Sequence, residues 1–340
     1  MGKLRKYTNF IVLVLVLVVT FFCVERVFNM KTEHGIRQAR DMYAQPEDSV
    51  DVVFMGSSHI HCDINTAVLW EEYGIAGYDY SGAEQPLWMT YYYLQEICKT
   101  QKPKVMVLDL YSAGTFYDEY QYTYMTDNLN GFKLSWNKIK MIMDSCEPDK
   151  ILDYFPSFMT YHQRYFELEE EDFEYLFASK KDRASFKGFT PYFRTEVHIK
   201  NEHDPDDISP LPEKSAEYLD KIIEYCNEND IGIFFIVAPY VREDETTRIY
   251  NYVEKLALDK GILYENGNDY YETLGLDFEK DLNDNSHLNY RGSIKYTRHV
   301  AELIKYVFDV PDRRGDEYWE SWDRHVEEIK KLAAENGMGE

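Results

Sequence analysis

Ser49-Val50-Asp51-Val52-Val53-Phe54-Met55 runs directly into Gly56-Ser57-Ser58-His59, and the reading of this stretch decides the fold. A short, β-branched, apolar run closed by glycine is the pattern of a parallel strand buried on both faces. Working outward, residues 65–73 are helical in character, residues 77–81 form a short second strand, and residues 86–100 form a helix opened by proline. Residues 104–110 (KVMVLDL) make a third buried strand. Alternating strands and helices of this kind imply an α/β fold with a doubly wound parallel sheet. The rhythm breaks over about 112–205, an aromatic and charged region with helical stretches near 134–144 and 169–180, which reads as an insertion over one end of the sheet. It resumes with a helix at 215–229, the very hydrophobic strand 231–238, a helix at 245–256, a strand near 262–265 and a last domain helix at about 292–308.

The 340 residues suffice for one large domain, and the net charge of −24 argues against nucleic acid, whose phosphates are bound by clustered Lys and Arg. Before the domain, Lys3, Arg5 and Lys6 precede an uncharged apolar span from about Tyr7 to Val24. That length matches a short transmembrane helix, and no small-residue cleavage site follows, so a signal anchor is favoured over a cleaved signal peptide. By the bias of basic residues the N-terminus (1–6) stays cytoplasmic, the anchor occupies 7–28, and everything beyond lies outside the cell membrane. Residues 29–48 read as a juxtamembrane stalk, 49–310 as the α/β domain with its insertion, and 311–340 as a peripheral C-terminal helix. The five cysteines show neither paired spacing nor a zinc-like cluster.

Catalytic groups of such sheets collect at the carboxyl ends of the strands. Ser58 stands there, just past a glycine turn and beside a helix start whose N–H groups can stabilise an oxyanion. Gly-x-Ser alone also describes an ordinary tight turn. Of nine histidines only His287 has an aspartate, Asp284, three residues earlier, in the loop before the last domain helix. That loop returns to the Ser58 end of the sheet, where Asp284 orients the imidazole and His287 takes the serine proton. Taken singly, Asp284 beside His287 also fits a capping aspartate next to a surface histidine. His59-x-His61 lacks further ligands at metal-binding spacing, so no metal and no cofactor is expected. His162 and Arg164 in the insertion have a composition suited to holding an anionic or polyol substrate, or else a structural role.

Gly56-Ser57-Ser58 and Asp284-x-x-His287 resemble the first and last blocks of the SGNH/GDSL hydrolases. With the anchor, the insertion and the ending His287-Leu288-Asn289-Tyr290-Arg291-Gly292, the chain is similar to their DltD-like and alginate-acetylase-like, membrane-anchored branch. The resemblance implies a flavodoxin-like sheet, Ser58 as nucleophile, Ser57 at the usual aspartate position, and an oxyanion hole drawn from Ser58, Gly82 and Gln85. Asp109 stands where the third block normally carries asparagine. It further implies O-acyl (acetyl) transfer to a cell-envelope polysaccharide or teichoic-type polymer, with a membrane-bound O-acyltransferase as partner. A deacylating esterase of the same polymers and a non-catalytic glycan-binding or assembly protein are the alternatives.

Overall fold

The computed structural model describes residues 2–28, 34–115, 119–154, 161–174 and 180–338. Five parallel strands form one sheet: β1 (Val52–Met55), β2 (Gly77–Asp79), β3 (Val105–Asp109), β4 (Gly232–Val237) and β5 (Leu263–Asn266), in the order β2-β1-β3-β4-β5. Side chains alternate across a strand, so β1 feeds two cores at once. Val52 and Phe54 pack with Val105, Val107, Phe234 and Ile236 against the helix Tyr290–Val307. Val53 and Met55 face the other way, with Met106, Leu108 and Phe235, into a cluster closed by the helices Leu87–Ile97, Glu213–Glu228 and Asp244–Lys260. Burial on both faces is why these strands read as continuous apolar runs.

Strand and helix bounds agree with the sequence expectation to within a few residues, except that the helix opened by proline ends at Ile97 and the helix from Asp244 continues to Lys260. The expected helix at 169–180 is present as Glu170–Glu174, the next five residues lying outside the described set. Part of the region 112–205 lies near the carboxyl ends of the strands. Its return segment runs past the carboxyl ends of the strands, the Lys187 carbonyl accepting from Asp79 N–H at 3.0 Å and Thr190 N–H donating to the His61 carbonyl at 2.6 Å.

Gly2–Phe28 is one continuous helix, and Arg5–Phe28 within it is long and apolar enough to cross a membrane. Its side chains from Tyr7 to Phe22 are exposed, as a lipid-facing surface requires.

Two boundaries need correction. The segment 34–48 is no stalk: Ile36, Ala39 and Met42 of the helix Ile36–Met42 are buried, and Tyr78 Oη donates to the Gln38 carbonyl at 2.8 Å. Gly35, at φ +105°, lies so close to Gly82 that a Cβ there would approach the Gly82 Cα to 2.4 Å. The C-terminal helix Glu320–Glu335 is not peripheral either. Trp322 is fully buried, donates to the Gly77 carbonyl at 3.2 Å, and lies beneath the buried Lys187 ammonium, 3.4 Å from the ring centroid. His325 bonds Thr66 at 2.8 Å. Its charged outer face disguised a buried stripe at helical spacing, Trp322, Val326, Ile329 and Ala333. Trp322→Ala should therefore cost about 3–5 kcal/mol in denaturant unfolding. A change within about 0.5 kcal/mol, the range of ordinary surface substitutions, would restore the peripheral assignment.

Candidate active site

β1 ends at Gly56, which turns the chain at φ +136° and presses against β3, where a Cβ would come 2.9 Å from the Asp109 Cβ. Only glycine tolerates that combination of dihedral and crowding. Ser57 then caps the helix Ser58–Asp63, its Oγ accepting from His59 N–H at 3.2 Å. Ser58 is the first helical residue, and among the described residues its N–H makes no hydrogen bond.

The loop 281–287 brings the other two groups expected from sequence. Ser58 Oγ and His287 Nε2 are 2.8 Å apart, and His287 Nδ1 lies 3.0 Å from Asp284 Oδ1 and 3.2 Å from Oδ2. Asp284 also accepts from the N–H groups of Ser286 at 2.8 Å and His287 at 2.9 Å, and from Asn283 Nδ2 at 2.9 Å. Partial burial alone would raise its carboxyl, but the His287 ring and these donors together hold it well below the usual carboxylate range. A fixed anion beside Nδ1 assigns the proton to that nitrogen and leaves Nε2 as acceptor for the serine proton.

The helix that carries Ser58 grips this loop on either side of His287. His59 Nε2 bonds Ser286 Oγ at 2.9 Å, and Asp63 Oδ1 accepts from Leu288 N–H at 2.8 Å. His59 lies 5.4 Å from His287, centroid to centroid, in a cluster with Tyr111 at 4.2 Å and Tyr240 at 4.8 Å, which are themselves 5.5 Å apart. Burial pushes its imidazole, and that of His61, far down the pH scale, so neither competes with a charge forming on His287. His61 bonds Ser81 at 2.9 Å, so the two histidines of His59-x-His61 point to different partners.

The departures at Ser57 and Asp109 from the resembled pattern meet each other. Ser57 Oγ donates to Asp109 Oδ2 at 2.6 Å, Ser57 N–H to the same oxygen at 3.3 Å, and Tyr111 N–H to Oδ1 at 3.2 Å. Asp109 is thus an acceptor that ties the β1 turn to the β3 turn, where an asparagine would have offered a donor.

Other expected donors are otherwise engaged. Gly82 N–H donates to the Gly56 carbonyl at 3.2 Å, so it is turned into the backbone network. Gln85 is fully buried, with Nε2 on Thr90 Oγ1 at 2.9 Å, and it does not line the Ser58 cavity. Arg164 is also away from that cavity. Its guanidinium donates to the Phe28 carbonyl at 2.6 Å and pairs with Asp172 at 3.3 Å, serving the exit of the apolar helix instead. His162 opens the short 3₁₀ helix His162–Phe166, and its side chain lies outside the described residues.

Ser58 and His287 open into a cavity of about 530 Å³. Its walls include His34, Gly35 and Gln38, taken from sequence as stalk, together with Glu84, Tyr111, Tyr124, Thr190 and Tyr192. Sequence reasoning missed these because they come from four separate segments; the one available signal was the density of tyrosine in the insertion. A larger cavity of about 650 Å³, lined by Asp144, Lys214 and Tyr218, has no serine or histidine among the described residues of its walls.

Burial pushes the Asp109 carboxyl up to about 6 against the pull of its Ser57 and Tyr111 donors. The folded protein therefore keeps this proton over a range where the unfolded chain, with its carboxyl near about 3.9, has released it. Stability is full below about pH 4 and falls by about 3 kcal/mol as pH rises through 6. Asp109→Asn lacks that slope, so its stability relative to wild type should rise by this amount between pH 4 and pH 7 in paired urea titrations. A difference that stays flat would contradict the burial of an ionisable Asp109. Comparison of the chain with protein-family models finds no match, and neither does comparison with curated protein sequences.

Proposed function

We propose that the protein performs serine-dependent acyl-ester chemistry at an extracytoplasmic membrane surface, and that it belongs with the membrane-anchored SGNH-type hydrolases and acyltransferases. The observation that carries this reading is the continuous chain Ser58 Oγ, His287 Nε2, His287 Nδ1, Asp284, with links of 2.8 and 3.0 Å. Supporting it, the strand order 2-1-3-4-5 is that of a doubly wound, flavodoxin-like sheet, and Ser58 stands just beyond the carboxyl end of β1.

Ser58 Oγ attacks the acyl carbonyl of the donor while His287 Nε2 takes its proton. Asp284 stabilises the resulting imidazolium. The tetrahedral oxyanion receives a hydrogen bond from Ser58 N–H. Collapse breaks the ester bond of the donor, and His287 returns the proton to the departing alkoxide, leaving acyl-Ser58. A hydroxyl of the acceptor then attacks that ester while His287 takes its proton; collapse breaks the acyl–Ser58 bond, and His287 returns the proton to Ser58 Oγ. In our reading the apolar helix anchors the chain with Lys3, Arg5 and Lys6 in the cytoplasm. The acceptor is a cell-envelope polymer, and a membrane-bound O-acyltransferase supplies the acyl group. Tethering both partners at one surface substitutes effective concentration for affinity.

One observation favours a non-catalytic glycan-binding or assembly role: the Gly82 and Asp109 positions supply no oxyanion donor. The reactive geometry weighs more, since an assembly protein has no need of a hydrogen-bonded serine, histidine and aspartate. The O-acyl content of envelope polymers decides between these in a deletion strain complemented with wild type or Ser58→Ala. Transfer predicts ester content restored by wild type and not by Ser58→Ala, whose turnover falls by about 10⁴–10⁶. More ester in the deletion strain would mean that the protein removes acyl groups. Equal content in all three would favour the assembly role.

A further inference from the structure

The walls of the Ser58 cavity are unusual in the charges they carry. Among the described residues that line it there is a carboxylate, Glu84, and no lysine or arginine. Glu84 sits at φ +42°, a left-handed conformation that a residue with a long side chain adopts only when its surroundings impose it. Its backbone neighbourhood is held by Ala83 N–H on the His34 carbonyl at 2.9 Å, and Gln121 Nε2 donates to its Oε2 at 3.1 Å. Half-buried as it is, the Glu84 carboxyl is pushed up by desolvation, a direction that any nearby cation would oppose.

Gln38 also lines the cavity. Its Nε2 donates to the Gly188 carbonyl and to Thr190 Oγ1, both at 2.9 Å. A carbonyl can only accept, so the amide orientation is fixed and Oε1 points the other way, buried and without a partner. That oxygen is closed off from solvent, so Gln38 shapes the cavity wall without offering it to a ligand. Around Glu84 stand the rings of Tyr111, Tyr124 and Tyr192, with His34 packed on Tyr124 at 4.7 Å. Such amphipathic rings offer flat faces and polar tips to a polyol.

We infer that this cavity takes an uncharged, hydroxyl-rich glycan as the acyl acceptor or ester substrate, with Glu84 accepting from its hydroxyls, the tyrosine rings packing on its faces, and Glu84 rejecting anionic chains. This deepens the Ser58 reading and rests on it for the chemistry, but not for the binding. Phosphate- or uronate-bearing polymers would bring a negative charge against Glu84 with no lysine or arginine in the described walls to meet it, inside a chain of net charge −24. Isolated like charges at close range in a partly desolvated site cost far more than in water. The teichoic-type acceptor is accordingly the less suited of the two named above.

The test separates binding from catalysis. Full-length Ser58→Ala protein in lipid nanodiscs is titrated calorimetrically with O-acetylated cellotetraose and with O-acetylated tetragalacturonate, matched in length. The neutral tetraose should bind at least about tenfold tighter, a difference near 1.4 kcal/mol. Glu84→Lys in the same background should narrow or invert that ratio, and Glu84→Gln should improve uronate binding while keeping hydrogen-bonding capacity. Equal or tighter binding of the uronate, no binding of the neutral tetraose, or a ratio unmoved by Glu84→Lys would overturn the inference. Failure of the serine chemistry itself registers elsewhere, as wild-type protein whose Ser58 takes no fluorophosphonate label, and leaves the binding result to stand or fall alone.

Discussion

The helix Ser58–Asp63 holds the loop carrying the base at two points, His59 on Ser286 and Asp63 on the N–H of Leu288, and these two bonds bracket His287. Because the same six-residue helix carries Ser58, Ser58 and His287 are referred to one rigid object, and their 2.8 Å separation does not depend on a long loop finding its place. A geometry error of about 1 Å costs on the order of 10²-fold in rate, so such a bracket is worth more to catalysis than to stability. The helix is itself set by the turn before it, where Gly56 lets β1 and β3 approach and Asp109 fastens Ser57. The cost is a carboxylate buried at the turn, and the gain is a fixed origin for everything built on Ser58.

Strand runs such as Val52–Met55 and Gly232–Val237 were legible because burial on both faces leaves no polar residue to interrupt them. The pairing of Ser58 with Asp284 and His287 was legible because position relative to the sheet, not the tetrapeptides themselves, restricts which serine and histidine can meet. The walls of the cavity were not. Residues 34–38 look like linker in sequence because their buried atoms are satisfied by partners more than a hundred positions away, such as the Gly188 carbonyl for Gln38. The terminal helix was misread for a related reason: its charged outer face hides a single buried stripe, and only packing distinguishes that from a solvated helix. Gly82 shows a third kind of miss. Its place in the sequence fits an oxyanion donor, yet its N–H is spent on the Gly56 carbonyl.

The placement of residues 34–38 joins the N-terminal apolar helix to the site. Phe28 ends the apolar helix and His34 already lines the cavity, so at most about 20 Å of chain separates the two at roughly 3.4 Å per residue. Arg164 on the Phe28 carbonyl ties the inserted region to the same exit. A cavity so close to the apolar helix suits the proposed reaction, with both partners presented at a membrane surface, and shortening the chain from its N-terminus past residue 33 removes a wall of the site along with that helix.

The central claim is that Ser58 becomes esterified, and peptide mass spectrometry of the intact membrane protein after brief exposure to p-nitrophenyl acetate addresses it most directly. The account predicts a single acetyl group on the peptide containing Ser58, localised to that residue and absent from Ser58→Ala. An unmodified Ser58 peptide, or acetylation of another residue that persists in Ser58→Ala, would contradict it.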